Sequence, residues 1–113
     1  MYENFVEGQI PTEIGNMESL LWIDMYSNIL SGSLPKELFN LETIVSIYLS
    51  SNKISGSISN HITNTTNLID LWLDDNEMTG AIPQGIGSLE NLSKFRIKNQ
   101  PVYFRLCLRY DVP

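Results

Sequence analysis

The residues best suited to chemistry fall into three columns spaced 24 residues apart. Trp22, Ser46, Asp70 and Lys94 form the first. Asp24, Tyr48, Trp72 and Arg96 form the second, and Tyr26, Ser50, Asp74 and Lys98 the third; Ser27, Ser51, Asp75 and Asn99 border them. Both tryptophans of the chain lie in this set. Rigidly held Trp and Tyr offer large contact area at small entropic cost, and such residues dominate binding hot spots. The chemistry the columns suit is therefore non-covalent recognition of a protein or peptide. Trp22, Tyr26, Tyr48 and Trp72 would be the anchors, with Asp24, Asp70, Asp74, Lys94, Arg96 and Lys98 setting register. The columns could instead satisfy one another. Lys94 would then neighbour Asp70, Lys98 would neighbour Asp74, and Arg96 would lie over Trp72 in a cation–π contact. Exposed ion pairs of this kind contribute only ~0–1 kcal/mol each.

Catalysis finds little to work with. His61 is the one histidine, with no serine or cysteine at a recognisable spacing, and it reads as a surface residue. No enzymatic activity is predicted. Asp74-Asp75-Asn76-Glu77 invites a calcium reading but lacks the order of an EF-hand loop. Gly85-Ile86-Gly87 lacks the further glycine and lysine of a phosphate-binding loop. No metal or cofactor is predicted. Cys107 is the one cysteine, which excludes an internal disulfide, and it reads as a small apolar residue. Asn64-Thr65-Thr66 and Asn91-Leu92-Ser93 are N-glycosylation sequons, meaningful only in the secretory pathway.

The net charge of −6 hides an asymmetry. Residues 1–93 carry twelve acids against Lys36 and Lys53, whereas residues 94–113 carry Lys94, Arg96, Lys98, Arg105 and Arg109 against Asp111. An acidic body argues against nucleic acid as a partner. No apolar run approaches the ~18–20 residues of a membrane span, so no membrane contact by this segment is expected. No signal peptide is visible at the N-terminus. The 42% hydrophobic content suffices for one core in one domain.

The elements that would position the columns are written as a repeat. Asn28-Ile29-Leu30-Ser31-Gly32-Ser33-Leu34-Pro35 returns as Asn52-Lys53-Ile54-Ser55-Gly56-Ser57-Ile58-Ser59 and as Asn76-Glu77-Met78-Thr79-Gly80-Ala81-Ile82-Pro83, with an earlier copy from Asn4 to Pro11. A fixed period of this size is the signature of a solenoid. The apolar framework is Ile14, Met17, Leu20, Ile23 and Met25, repeated through Ile47 and Leu49, Leu71 and Leu73, and Phe95 and Ile97, with Thr65 as one polar intruder. Alternation around Ile23 and Met25 predicts a short strand in every repeat, and stacking the repeats predicts a parallel sheet with strands ~4.8 Å apart. Asn28, Asn52 and Asn76 then stack just past the strands, where an amide can satisfy backbone groups that an apolar residue cannot. Gly8, Gly32, Gly56 and Gly80 suit positive φ or close approach. Pro11, Pro35 and Pro83 suggest coil, with Ser59 breaking the set, and the stretch after each reads as a short helical turn on the outer face.

The turn N-x-[hydrophobic]-S/T-G-x-[I/L]-P, the 24-residue period, and the stretches Asn16-Met17-Glu18-Ser19-Leu20 and Gly87-Ser88-Leu89-Glu90-Asn91-Leu92 resemble the plant-specific class of leucine-rich repeats. That class occurs in receptor-like kinases, receptor-like proteins and polygalacturonase-inhibiting proteins. The resemblance spans about residues 4–100 and lacks the cysteine-bearing caps of secreted members. It implies an α/β solenoid: a right-handed superhelix with short parallel strands on the concave face and a 3-10 or irregular convex face. Residues 1–100 would hold about four repeats. Residues 101–113, where Val102, Phe104, Leu106 and Leu108 alternate with polar residues, read either as an improvised cap or as sequence without selected structure. The resemblance also implies a non-catalytic protein- or peptide-binding module, part of or derived from a receptor-like protein. A structural segment of a longer solenoid without a ligand of its own, self-associating through open ends at Phe5/Val6 and Phe104/Leu106, is a second reading. An inhibitor of a wall-degrading hydrolase is a third. The compartment would be an extracellular or plasma-membrane ectodomain for a longer receptor, and cytoplasmic if residues 1–113 are the whole product.

Overall fold

Each 24-residue unit makes one coil, because its apolar residues can be buried only against the units before and after it. The computed structural model describes residues 5–98 and 100–102. Its strands are β1 (Glu7–Gln9), β2 (Trp22–Asp24), β3 (Ile29–Ser33), β4 (Ser46–Tyr48), β5 (Lys53–Gly56), β6 (Asp70–Asp74), β7 (Glu77–Met78), β8 (Lys94–Lys98) and β9 (Gln100–Val102). They form two sheets, in the orders β2-β4-β6-β8-β9 and β1-β3-β5-β7. The expected sheet is the first of these. Its register pairs Trp22 with Ser46, Ser46 with Asp70 and Asp70 with Lys94, so the step of 24 is kept without slippage.

The second sheet corrects the reading of the Asn-to-Pro stretch as a turn. β1, β3, β5 and β7 pair in parallel, again coil to coil. Ser31, Gly32 and Ser33 have little intrinsic strand preference, but stacked coils supply a hydrogen-bonding neighbour on each side, and tertiary context prevails over propensity. The glycines do take positive φ, +85° at Gly80 for example, and a Cβ there would sit 2.8 Å from Ser57 Cβ. Both reasons for glycine, conformation and space, apply at that position.

Short 3-10 helices, Thr12–Asn16, Lys36–Asn40, Asn60–Asn64 and Gln84–Ser88, each pack against the next along the third side. Pro35 precedes one with φ −68° and ψ 141°, and Ser59 holds nearly the same backbone, −69° and 147°. The serine that breaks the proline set caps its helix instead: its hydroxyl accepts from His61 N–H at 3.1 Å.

The core runs between these layers, from Ile10 through Ile47, Leu71 and Leu73 to Phe95 and Ile97. Fully burying one such aliphatic side chain stabilises by ~1.5–3 kcal/mol. Three framework readings need revision. Met17 is 53% exposed, although its repeat equivalents Leu41, Thr65 and Leu89 are buried. Thr65 is a satisfied core residue, its hydroxyl donating to the Ile62 carbonyl at 2.6 Å. Phe39, assigned by sequence to an outer helical turn, is fully buried.

The repeat also ends differently than the spacing suggests. Val102 fits the repeat pattern, yet β9 pairs antiparallel with β8, Phe95 opposite Val102 and Ile97 opposite Gln100. The chain therefore reverses after Lys98 rather than entering the second sheet. The expectations for Phe104, Leu106, Leu108 and Cys107 lie outside the described residues. No helix among the described residues is long and apolar enough to cross a membrane.

Candidate functional site

The asparagines fix the edge of the recognition sheet. Asn52 Nδ2 donates to the carbonyls of Leu49, Ser50 and Met25, at 3.1, 3.3 and 3.0 Å. Its Oδ1 accepts from Leu30 N–H at 3.0 Å. Asn76 repeats the pattern one coil later, bonding Leu73, Asp74, Leu49 and Ile54. Asn28 bonds Met25, Tyr26 and Val6. Each amide thus ties the end of its own strand to the coil before it. The residue ahead of each asparagine pivots through the left-handed region, with φ of +57° at Ser27, +61° at Ser51 and +56° at Asp75. That pivot ends each strand at a fixed point and keeps the outward side chains in line.

On the outward face the columns meet as the spacing predicts. Trp72 is the centre of one cluster. Tyr48 approaches it edge-on with ring centroids 4.6 Å apart and planes at 61°. The Arg96 guanidinium carbon lies 4.6 Å from the Trp72 ring centre on the next strand. Arg96 Nε is also 3.9 Å from Asp74 Oδ1. The carboxylates are largely engaged within the sheet. Asp70 accepts from Ser46 Oγ at 3.2 Å and Tyr48 Oη at 3.1 Å. Ser50 Oγ donates to Asp74, and Ser51 Oγ to Asp75 at 2.9 Å.

The ion pairing differs from the sequence expectation. Lys94 stands opposite Asp70 in register, but Asp70 is held by two hydroxyls, and among the described residues the ion pair on this face is Arg96–Asp74. Lys98 stands opposite Asp74 in register; its side chain lies outside the described residues. Among the described residues, Trp72 Nε1 and Arg96 Nε are buried nitrogens without a hydrogen-bond partner.

The opposite end of the face is open. Trp22 is 62% exposed, Asp24 is exposed, and Tyr26 is half-buried. Leu21, Trp22, Asp24, Val45, Ser46 and Tyr48 line a groove of about 480 Å³. Sequence reasoning missed one wall of it. Leu21, Val45 and Ile69 form an apolar column beside the sheet, with Leu21 49% and Ile69 40% exposed. The Leu21 carbonyl accepts from both Val45 and Ser46 N–H, and the Val45 carbonyl from both Ile69 and Asp70, which holds the column in place. The step of 24 was a usable signal. It was hidden because Leu20-Leu21-Trp22-Ile23 reads as a continuous apolar run, whose faces periodicity cannot separate.

Away from this face, His61 does have a serine partner, contrary to the spacing argument. Its Nδ1 is 2.7 Å from Ser59 Oγ. Both residues belong to the exposed cap of the 3-10 helix Asn60–Asn64. Asn64 is exposed beside Asn40, Glu42, Thr63 and Thr66. Asn91 is also exposed, but its Nδ2 donates to the Thr66 carbonyl at 2.9 Å. Asn67 makes the matching bond to the Glu42 carbonyl and Thr43 Oγ1 to that of Glu18, a second inter-coil ladder that the sequence reading did not include. No group of three potential metal-binding side chains occurs among the described residues.

The Leucine Rich Repeat pattern matches residues 19–41, 43–65 and 67–89. The chain belongs to the leucine-rich-repeat family. Its structural neighbours are plant receptor ectodomains. The plant peptide hormone receptor RGFR1, solved in complex with RGF2, is 40% identical with a TM-score of 0.82, covering 86% of this chain and 16% of its own. The Arabidopsis receptor kinase HAESA ectodomain, solved with an N-terminally extended IDA peptide hormone, is 30% identical with a TM-score of 0.81, covering 87% and 17%. The BIR3–SERK2 complex of Arabidopsis thaliana gives 35% identity, a TM-score of 0.75 and coverage of 82% and 50%. This leucine-rich-repeat chain thus spans about a sixth of the first two and half of the third. Among curated proteins none matches it.

Proposed function

We propose that this leucine-rich-repeat chain is a non-catalytic module that binds a protein or peptide through the outward face of the β2-β4-β6-β8 sheet, and that it is part of or derived from a receptor-like protein. The observation that carries the proposal is the open aromatic groove, with Trp22 standing 62% exposed at its rim. An exposed ring on a rigid sheet costs little entropy to bury against a partner. The peptide complexes solved for similar receptors support the same reading. Trp22 is better placed as an anchor than Trp72, whose ring already packs against Tyr48 and Arg96.

The test is binding of a peptide selected against the immobilised chain. Trp22→Ala is expected to weaken it by about 2 kcal/mol, roughly 30-fold, with an unchanged far-UV spectrum, since Trp22 is not in the core. Equal affinity in the variant would exclude this face. The reading as a segment of a longer solenoid draws on Phe5, 81% exposed, and Val6, 47% exposed. It predicts no peptide binding at all and concentration-dependent self-association of the chain.

A further inference from the structure

The face contains a Trp-x-Asp pair twice, and only one of them is filled. Trp72 and Asp74 lie two residues apart on β6 and so point the same way. The next strand supplies Arg96, whose guanidinium lies 4.6 Å from the Trp72 ring centre and 3.9 Å from Asp74. Trp22 and Asp24 form the same pair on β2. The cross-strand position that corresponds to Arg96 is here Ser46, directly opposite Trp22. Serine is too short to fill the space, and its hydroxyl is turned to Asp70. The result is the groove of about 480 Å³ above Ser46. Asp70, Asp74 and Asp75 each accept a hydroxyl hydrogen bond, whereas the described structure gives Asp24 none.

Resting on the proposed function, we infer that this groove takes an arginine side chain of the bound partner, seated between the Trp22 ring and the Asp24 carboxylate as Arg96 is seated between Trp72 and Asp74. A planar guanidinium stacks on an indole and pairs with a carboxylate at once, which a lysine ammonium does less well. The aliphatic stem would lie along Leu21 and Val45. The charge agrees: residues 1–93 carry twelve acids against two lysines, so the field at this end of the face draws a cation.

A phage-displayed library of random 12-residue peptides, panned on the full chain, tests the inference. A synthetic copy of the best binder and its Arg→Gln analogue are titrated against the wild type, Asp24→Asn, Trp22→Ala and the distant control Glu42→Gln. The expected result is an arginine recurring at one position, with Arg→Gln and Asp24→Asn each weakening binding at least tenfold. The two losses should be non-additive when combined, because each removes the same contact, and Glu42→Gln should have no effect. Binders that lose affinity on Trp22→Ala but show no recurrent arginine and ignore Asp24→Asn would overturn the inference and leave the proposed function standing. Binders indifferent to every substitution on this face would overturn both. Asp24 is exposed and the exchange is isosteric, so loss of folding is not at issue.

Discussion

Asn52→Ala is expected to lower the unfolding free energy by about 1–3 kcal/mol, because it leaves a buried N–H unpaired, which costs ~1–3 kcal/mol. The amide is buried and makes four bonds. Its removal leaves the Leu30 N–H without its acceptor, whereas the carbonyls of Met25, Leu49 and Ser50 keep a second donor in Asn28 Nδ2, Asn76 Nδ2 and Ser27 N–H. Two of the four bonds, to Met25 and Leu30, reach the preceding coil, so the loss falls on an interface between repeats. In a solenoid, stability is approximately a sum of repeat and interface contributions. Weakening a central interface should therefore broaden the urea transition as well as shift it. Asn28→Ala is expected to cost less, since its three bonds are partly exposed. Urea unfolding followed by far-UV circular dichroism measures both, and equal losses at Asn28 and Asn52 would contradict the burial argument.

Phe39→Ala is expected to cost about 3–5 kcal/mol, the usual range for emptying a buried aromatic site. Phe39 is fully buried in the 3-10 helix Lys36–Asn40, beside Leu38, also fully buried. Backbone stacked coil on coil cannot close around the hole without moving a neighbouring repeat, so little relaxation is available. Leu21→Ala is the contrasting change. Leu21 is 49% exposed at the groove, and its loss should stay within ~0.5 kcal/mol. Against a total of ~5–15 kcal/mol for a domain of this size, the Phe39 variant would retain a marginal fold and the Leu21 variant an ordinary one. Similar denaturation midpoints for the two would overturn the assignment of Phe39 to the core.

The parts of this molecule that depend on the period were legible in the sequence. The alignment of Trp22 with Ser46 and of Asp70 with Lys94 is a matter of counting, and the sheet register reproduces it. The asparagine column followed from the chemistry of an amide beside strand ends. The second sheet was not legible. Serine and glycine at positions 31–33 and 55–56 carry turn signals, and only the stacking of coils turns them into ladders. Phe39 misled because its repeat equivalents Gly15, Thr63 and Gly87 are not large apolar residues, so no column marked it as core. On the candidate face, the contacts between Tyr48, Trp72 and Arg96 required distances, since columns give neighbours but not how their rings and charges meet. The groove depends on Ser46 being short where Trp22 and Tyr48 are long. That is a property of volume, to which a count of columns is blind.

The measurement that tests the recognition face most directly is an amide and indole NMR map of the 15N-labelled chain titrated with a panned peptide. The account predicts shifts concentrated at the outward residues of β2, β4 and β6, with the Trp22 indole N–H among the most affected. The 3-10 helices on the far side should remain unmoved. Shifts confined to those helices or to the β1-β3-β5-β7 sheet would contradict it and move the binding surface off the aromatic face.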